Sequence, residues 1–320
     1  MNILYVGGVY PVELSLFKEA QGNPNINLVM CGAGDSAPGV LSLCDYKTAI
    51  TRDAVDRLKE SLKPDLVLFR TWCVTTEKLV GPGEILWAQE IFQTNDGGVS
   101  TGDNTIRKGS WHIAYQSKPR AIQNSGYWLP YCVSKHWGRI EGVTKTIPVM
   151  VATSMPGGGP ATKMKSMKIL VEPVVAWNSS MVKIFPGYNG FKSSYLQQCI
   201  SPSFSVINSV PNICKAKIYI SPTSIWYDEG CVSYKTVEAM ACGVLTLTNN
   251  YIGMEDVFGK DGENLIYANS PEESLDKVRY YLDHDKEREE IAQRGYEFVH
   301  REYGWESNFE RLIKELSSVS

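Results

Sequence analysis

The chain has eight cysteines but no C-x-x-C pair, and its four histidines never fall into H-x-x-x-H or H-E-x-x-H spacing. That spacing gives no signal for an intrinsic zinc site, and scattered cysteines within apolar runs read as reduced core residues. Charge of one sign is also missing: 32 Lys and Arg stand against 35 Asp and Glu, a formal net charge of -3 and a pI near 5.9. No global basic footprint for nucleic acid exists. No apolar run approaches the roughly 18 residues a membrane span needs, and MNILYVGGVYP carries no basic leader. The expectation is a cytoplasmic protein. The G-x-x-x-x-G-K-[ST] spacing is absent, which removes a P-loop ATPase or kinase.

What remains is 320 residues, 43% hydrophobic and 21% charged, enough for two ordinary globular domains. Short apolar runs alternate with helical periodicity, as parallel crossovers require. Asn2 to Val6 ends in Gly7-Gly8 and is followed by a helix with Leu16, Phe17 and Ala20 inward. Glycines there let a backbone approach a ligand, or make a plain tight turn. INLVMC (26–31), LVLFR and Ile85 to Ala88 read as further strands, with a helix over 51–62 between the first two. Residues 93–110 are rich in Gly, Asn, Asp, Ser and Thr, a long loop of the kind that carries function. His112 falls inside the next strand and is read as structural. The polar turn 134–146 marks a boundary, giving domains 1–142 and 143–304, with a last helix in 305–320 packing back on the first domain.

In the second half Ile147 to Ala152 leads into Ser154-Met155-Pro156-Gly157-Gly158-Gly159-Pro160 and then Lys163, Lys165 and Lys168. Backbone N–H groups and ammonium groups converging at a helix start suit a phosphate. Residues 161–180 stay open between helix and strand because Pro173 interrupts them, and 181–185 and 204–207 read as strands. Ser270-Pro271-Glu272-Glu273 is a capping box, with Leu275, Val278 and Leu282 expected as the buried stripe behind it.

The stretch 217–243, KIYISPTSIWYDEGCVSYKTVEAMACG, reads most clearly as a site. It is strand, acidic loop with Asp228, Glu229 and Gly230, then helix closed by Gly243. Such turns lie at the carboxyl ends of strands, where α/β sheets bind ligands. Lys235 and Glu238, three apart, project from one helix face within reach of one ligand.

From about 211 to 316 the chain resembles the carboxy-terminal domain of group 1 glycosyltransferases, retaining enzymes of the GT-B fold, especially the CgeB-like branch. The signals are IYISPTS, VEAMACGVLTLTNN, DGENLIY, SPEESLDKVRYYLDHDKEREEIAQRGYEFV and the YGW before the last helix. The resemblance implies two Rossmann-like domains with a cleft between them and a nucleotide-diphosphate-sugar donor as substrate, with no cofactor and no metal. It puts Glu238 at the second position of an E-x7-E pair, on the ribose. The first position falls on Gly230, with Glu229 one residue early, and Lys235 matches a basic residue of the branch. Lys163 and Lys165 resemble the residues that neutralise the diphosphate. A family histidine-acid pair falls on Gln89-Glu90, so the histidine is missing. The expected set is therefore Glu229 and Glu90 as catalytic, with Glu238, Lys235, Lys163, Lys165, Gly7, Gly8, Gly230, Ser233 and Tyr251 on the donor. The implied activity is retaining sugar transfer to a glycan, lipid, protein or modified DNA base. Alternatives are inverting transfer with Glu90 or Asp96 as base, nucleotide binding without turnover, and epimerisation of the donor.

Overall fold

The computed structural model describes residues 1–7, 11–33, 39–44, 50–70, 79–88, 92–93, 99–100, 112–123, 125–153, 161–186, 196–202, 209–223, 233–251 and 253–318. It divides into two compact units, Met1–His136 with Gly304–Ser320, and Trp137–Tyr303.

Unit 1 is built on a parallel sheet ordered β3-β2-β1-β4-β5-β8-β9. The strands are β1 (Asn2–Val6), β2 (Asn27–Ala33), β3 (Leu41–Cys44), β4 (Leu66–Arg70), β5 (Ile85–Ala88), β8 (His112–Tyr115) and β9 (Tyr127–Trp128). A separate antiparallel pair joins β6 (Phe92–Gln93) to β7 (Val99–Ser100). Both faces of the central strands are apolar because both are covered. Ile3 and Tyr5 face one cluster with Leu16, Phe17 and Ala20 of α1 (Pro11–Gln21). Leu4 and Val6 face the other with Val55 of α2 (Arg52–Leu62). Thr51 caps α2 by accepting the Ala54 N–H at 3.3 Å. A short α3 (Lys118–Gln123) joins β8 to β9. His112 is packed edge-to-face on Tyr127, centroids 5.4 Å apart.

The chain's last helix belongs to this unit. Trp305, Phe309 and Leu312, spaced one helical turn apart, are buried in the cluster that holds Ile3 and Leu16. The Trp305 N–H donates to Val133 O at 3.2 Å, and Arg311 donates to Trp128 O at 2.9 Å while lying over the Trp128 ring.

Unit 2 carries a parallel sheet ordered β11-β10-β12-β13-β14. Its strands are β10 (Ile147–Thr153), β11 (Val182–Pro186), β12 (Ala216–Ser221), β13 (Leu245–Thr248) and β14 (Ile266–Tyr267). Its helices are α4 (Ala161–Leu170), α5 (Glu172–Asn178), α6 (Ser209–Ile213), α7 (Tyr234–Ala241), α8 (Met254–Phe258), α9 (Pro271–Asp283) and α10 (Asp285–Glu302), and α11 (Trp305–Ser317) is the helix described above. From β10 the chain adds β11 on one side and β12 to β14 on the other, so the order reverses between β10 and β12. Ligands of open α/β sheets bind at the carboxyl ends of the strands at such a reversal.

Three local expectations change. Pro173 does not break 161–180 into strand; it sits in the first turn of α5 and starts a second helix. Of the expected stripe of α9, Val278 is fully buried and Leu282 is partly buried against the same core, while Ser274 and Tyr281 take the other buried places instead of Leu275; Ser274 is drawn inward because its hydroxyl donates to Leu170 O at 2.9 Å. The capping box closes on one arm, Ser270 Oγ accepting from Glu273 N, while the Glu273 carboxylate reaches past Ser270 to the Asn269 N–H. The expected strand 204–207, the glycine-rich 154–160 and most of the 93–110 loop lie outside the described residues.

Candidate functional site

The carboxyl end of β12 and the helix after it form the core of the site in unit 2. Ile218, Tyr219 and Ile220 hold β12 in the sheet, and Ser221 Oγ lies 2.9 Å from Thr236 Oγ1, tying the strand end to α7. Ser233 starts α7 with extended backbone and no side-chain cap bond. The N–H groups at the head of α7 therefore gain nothing from Ser233's hydroxyl. The helix stops at Gly243, which has a φ of +67°. A Cβ there would also meet Arg139 Nε at 1.9 Å.

Glu238 is the least expected side chain in this environment. Its carboxylate is 2% exposed, and Oε2 accepts from Lys235 Nζ at 2.7 Å. Oε1 is buried without a hydrogen-bond partner among the described residues. Burial pushes the carboxyl up from its ordinary value, against the pull of the Lys235 ammonium. Its charge is felt by Tyr219, raised first by its own burial and then by Glu238, and the Tyr219 hydroxyl donates to Ala152 O at 3.0 Å. Glu238 thus lies beside β10 and β12, the two strands that flank the reversal. Lys235 is 40% exposed, so its ammonium holds Glu238 and keeps donors turned to solvent.

A second knot closes the same end of the sheet. Ser166 of α4 donates to Thr223 O at 2.5 Å and lies 2.7 Å from the Tyr251 hydroxyl, which is 3.2 Å from the same carbonyl. Tyr251 therefore joins the strand ends to α4. Lys165 is exposed on α4, and the Lys163 side chain lies outside the described residues. Glu229, Gly230, Glu90, Asp96 and Gly8 lie outside them as well. Of the expected set, the structure pairs Glu238 with Lys235, puts Ser233 at the head of their helix, and sets Tyr251 on the Thr223 carbonyl just past β12.

Gly7 is in unit 1, at the carboxyl end of β1, where that sheet in turn reverses between β1 and β4. Its φ of +148° and the 2.7 Å approach a Cβ would make to Arg70 Cβ explain the glycine by packing alone. Arg70, 5% exposed at the end of β4, was not among the expected residues. Its signal was a charge closing an unbroken apolar run. Thr223 and Asn249, both 2% exposed, were also missed, because a polar residue just past a strand looks like any loop residue.

Comparison with known proteins finds its sequence match in the second unit and the start of the last helix. Residues 208–314 match the family described as glycosyl transferase-like. That segment contains β12, α7, Glu238, Lys235, Ser233, Thr223, Asn249 and Tyr251, and leaves out Ala152 of β10 and Lys165 and Ser166 of α4. No curated protein shows significant similarity to the sequence. Solved structures share the whole architecture. Sucrose-phosphate synthase of Thermosynechococcus elongatus superposes with a TM-score of 0.66 at 10% identity, covering 100% of each chain. HepE of Anabaena, solved with UDP, gives 0.64 at 13% identity over 99% of this chain and 100% of that one. The T4 phage β-glucosyltransferase gives 0.65 at 12% identity over 99% of both. At such identities the likeness establishes the fold, which is GT-B. Among the described residues no helix is long and apolar enough to cross a membrane.

Proposed function

We propose that the protein is a glycosyltransferase that takes a sugar from a nucleoside-diphosphate sugar, with UDP-glucose the first donor to try, and passes it to an acceptor. The observation that carries this is Glu238: a buried carboxylate with one oxygen held by Lys235 and the other without a partner, beside the strand reversal of a glycosyl transferase-like domain. A carboxylate so placed can accept hydroxyl hydrogens of a ribose. The Lys235 ammonium and the N–H groups at the head of α7 suit the diphosphate, whose negative charge grows as it leaves. The solved neighbours support the donor class, since HepE was solved with UDP and with UDP-glucose and the phage enzyme with UDP-glucose.

Retention of configuration follows from the family resemblance, in which the donor phosphate itself helps to deprotonate the acceptor and no protein nucleophile is needed. An inverted product anomer would rule this out and turn attention to Glu90 or Asp96 as base. The acceptor is a glycan, lipid, protein or modified base held by unit 1. The donor reading is tested by thermal shift against UDP, UDP-glucose and other nucleotide sugars: a donor at about 100 times its Kd adds about 2.7 kcal/mol of apparent stability. Absence of any shift across nucleotides and nucleotide sugars removes the proposal.

A further inference from the structure

The sheet end beneath the site is almost fully hydrogen-bonded, and the exceptions cluster. Ser221 and Thr236 hold each other, Thr248 Oγ1 donates to Ser221 O at 3.0 Å, Tyr219 donates to Ala152 O, and Ser166 is bonded to Thr223 O. Against this background three buried oxygens have no hydrogen-bond partner among the described residues: Thr223 Oγ1, Asn249 Oδ1 and Glu238 Oε1. The Asn249 side chain is otherwise held only by a long 3.5 Å bond from Nδ2 to Ala268 O. Ser221 and Thr248 are register partners in β12 and β13. Thr223 and Asn249 therefore leave adjacent strands at one level, two residues past one partner and one residue past the other. Glu238 stands on the helix that follows β12. Orphaned polar groups in an interior are costly and rare, and each calls for a reason. Two of them just past adjacent strand ends and a third on the helix that follows one of those strands, among neighbours that are mostly hydrogen-bonded, share one reason more simply than three.

We propose that Thr223 and Asn249 extend the donor subsite of Glu238, hydrogen-bonding the ribonucleotide part of the donor, and that the free protein leaves them unsatisfied because the nucleotide supplies their bonds. The inference rests on the donor reading above and adds two specificity-determining residues to it. It also gives the site a distinct energetic signature. The hydroxyl and the amide weaken the free protein and strengthen only the complex, so removing them moves stability and affinity in opposite directions.

The experiment measures melting temperature and UDP and UDP-glucose affinity for wild type, T223V, N249L and T223S. T223V keeps the shape of the side chain without its hydroxyl, N249L removes the amide, and T223S restores a hydroxyl. The expected result is that T223V and N249L melt no lower than wild type without ligand, yet bind UDP at least tenfold more weakly, which is about 1.4 kcal/mol. T223S stays within about twofold of wild type on the same scale. Lower melting of T223V without ligand would mean that the hydroxyl already has a partner and would overturn the proposal. So would unchanged UDP affinity, whether because a bound water satisfies these groups or because they touch only the sugar and weaken UDP-glucose alone. Should N249L fail to fold, the T223V and T223S pair decides the matter. If wild type itself responds to no nucleotide, the donor reading fails and the subsite with it; a wild type that responds beside variants that match it sinks the subsite alone.

Discussion

Glu84 offers the sharpest test of how unit 1 is held together. It stands at the head of β5, 2% exposed, and its carboxylate accepts from Arg52 Nη1 at 2.5 Å, Arg52 Nη2 at 2.6 Å, the Gly81 N–H at 2.7 Å and Lys59 Nζ. Arg52 and Lys59 come from one face of α2, so a single buried anion clamps that helix to the sheet. Burial alone would raise the Glu84 carboxyl; the bonds from Arg52, Lys59 and Gly81 outweigh it and hold the group below its ordinary 4.5. Breaking a fully buried pair costs about 3–5 kcal/mol. Here Arg52 and Lys59 are 30% and 31% exposed and regain water when released, so Glu84→Gln is expected to cost about 2 kcal/mol. For a unit of roughly 150 residues that lowers the melting temperature by about 4–8 °C. Because the folded pKa is depressed, the stabilisation is present above the ordinary glutamate value and is lost as pH falls through the folded one. Circular-dichroism melts of wild type and Glu84→Gln at neutral pH and in acid below the ordinary glutamate value would therefore differ widely in the first case and progressively less as the pH is lowered in the second. Equal melting at neutral pH, or a gap that persists in acid, would refute the clamp.

Glu238 carries the opposite sign. Its carboxyl is raised by burial, so its contribution to stability is greatest below the ordinary 4.5 and is lost as pH rises through the folded value. Glu238→Gln is expected to melt no lower than wild type at pH 7 while weakening UDP binding by roughly 10- to 100-fold; calorimetric titration checks the affinity, and wild-type UDP binding should itself weaken in acid as the carboxylate protonates. Gly295→Ala in α10 would place a Cβ 2.3 Å from the Asn264 carbonyl oxygen, a backbone atom that cannot swing away, and an overpacking loss of about 1–3 kcal/mol should appear in urea unfolding. Ser270→Ala removes the acceptor for the Glu273 N–H, and a loss of about 1 kcal/mol in the same assay is expected.

Several features of this protein are decided by local sequence. The order of strands and helices follows from periodicity: Ile218 to Ile220 make a strand wherever they are buried, and Ser270 with Pro271 begins a helix through bonds within four residues. The spacing of Lys235 and Glu238 on one helix face is equally local, and their 2.7 Å pairing follows from it. Short elements were less legible. β3, LSLC, and β14, two residues long, acquire strand geometry only from the neighbours they pair with.

Burial, pairing and partnership belong to the tertiary structure. Nothing local distinguishes Tyr281 from Leu282 as the inward residue of α9, or tells that Arg70 is enclosed at the end of β4. Which strands flank a reversal depends on the order in the sheet, and that order depends on which crossovers pack. The same holds for Glu238. Its position in a helix and its charge are properties of the sequence, whereas its unsatisfied oxygen, and those of Thr223 and Asn249, exist because separate elements bury these groups without giving them a partner among the described residues. Sequence determines which groups are available to bind. Only the packing of distant segments decides which of them are buried, which are paired and which are left for a ligand, because the energy of a polar group depends on what surrounds it.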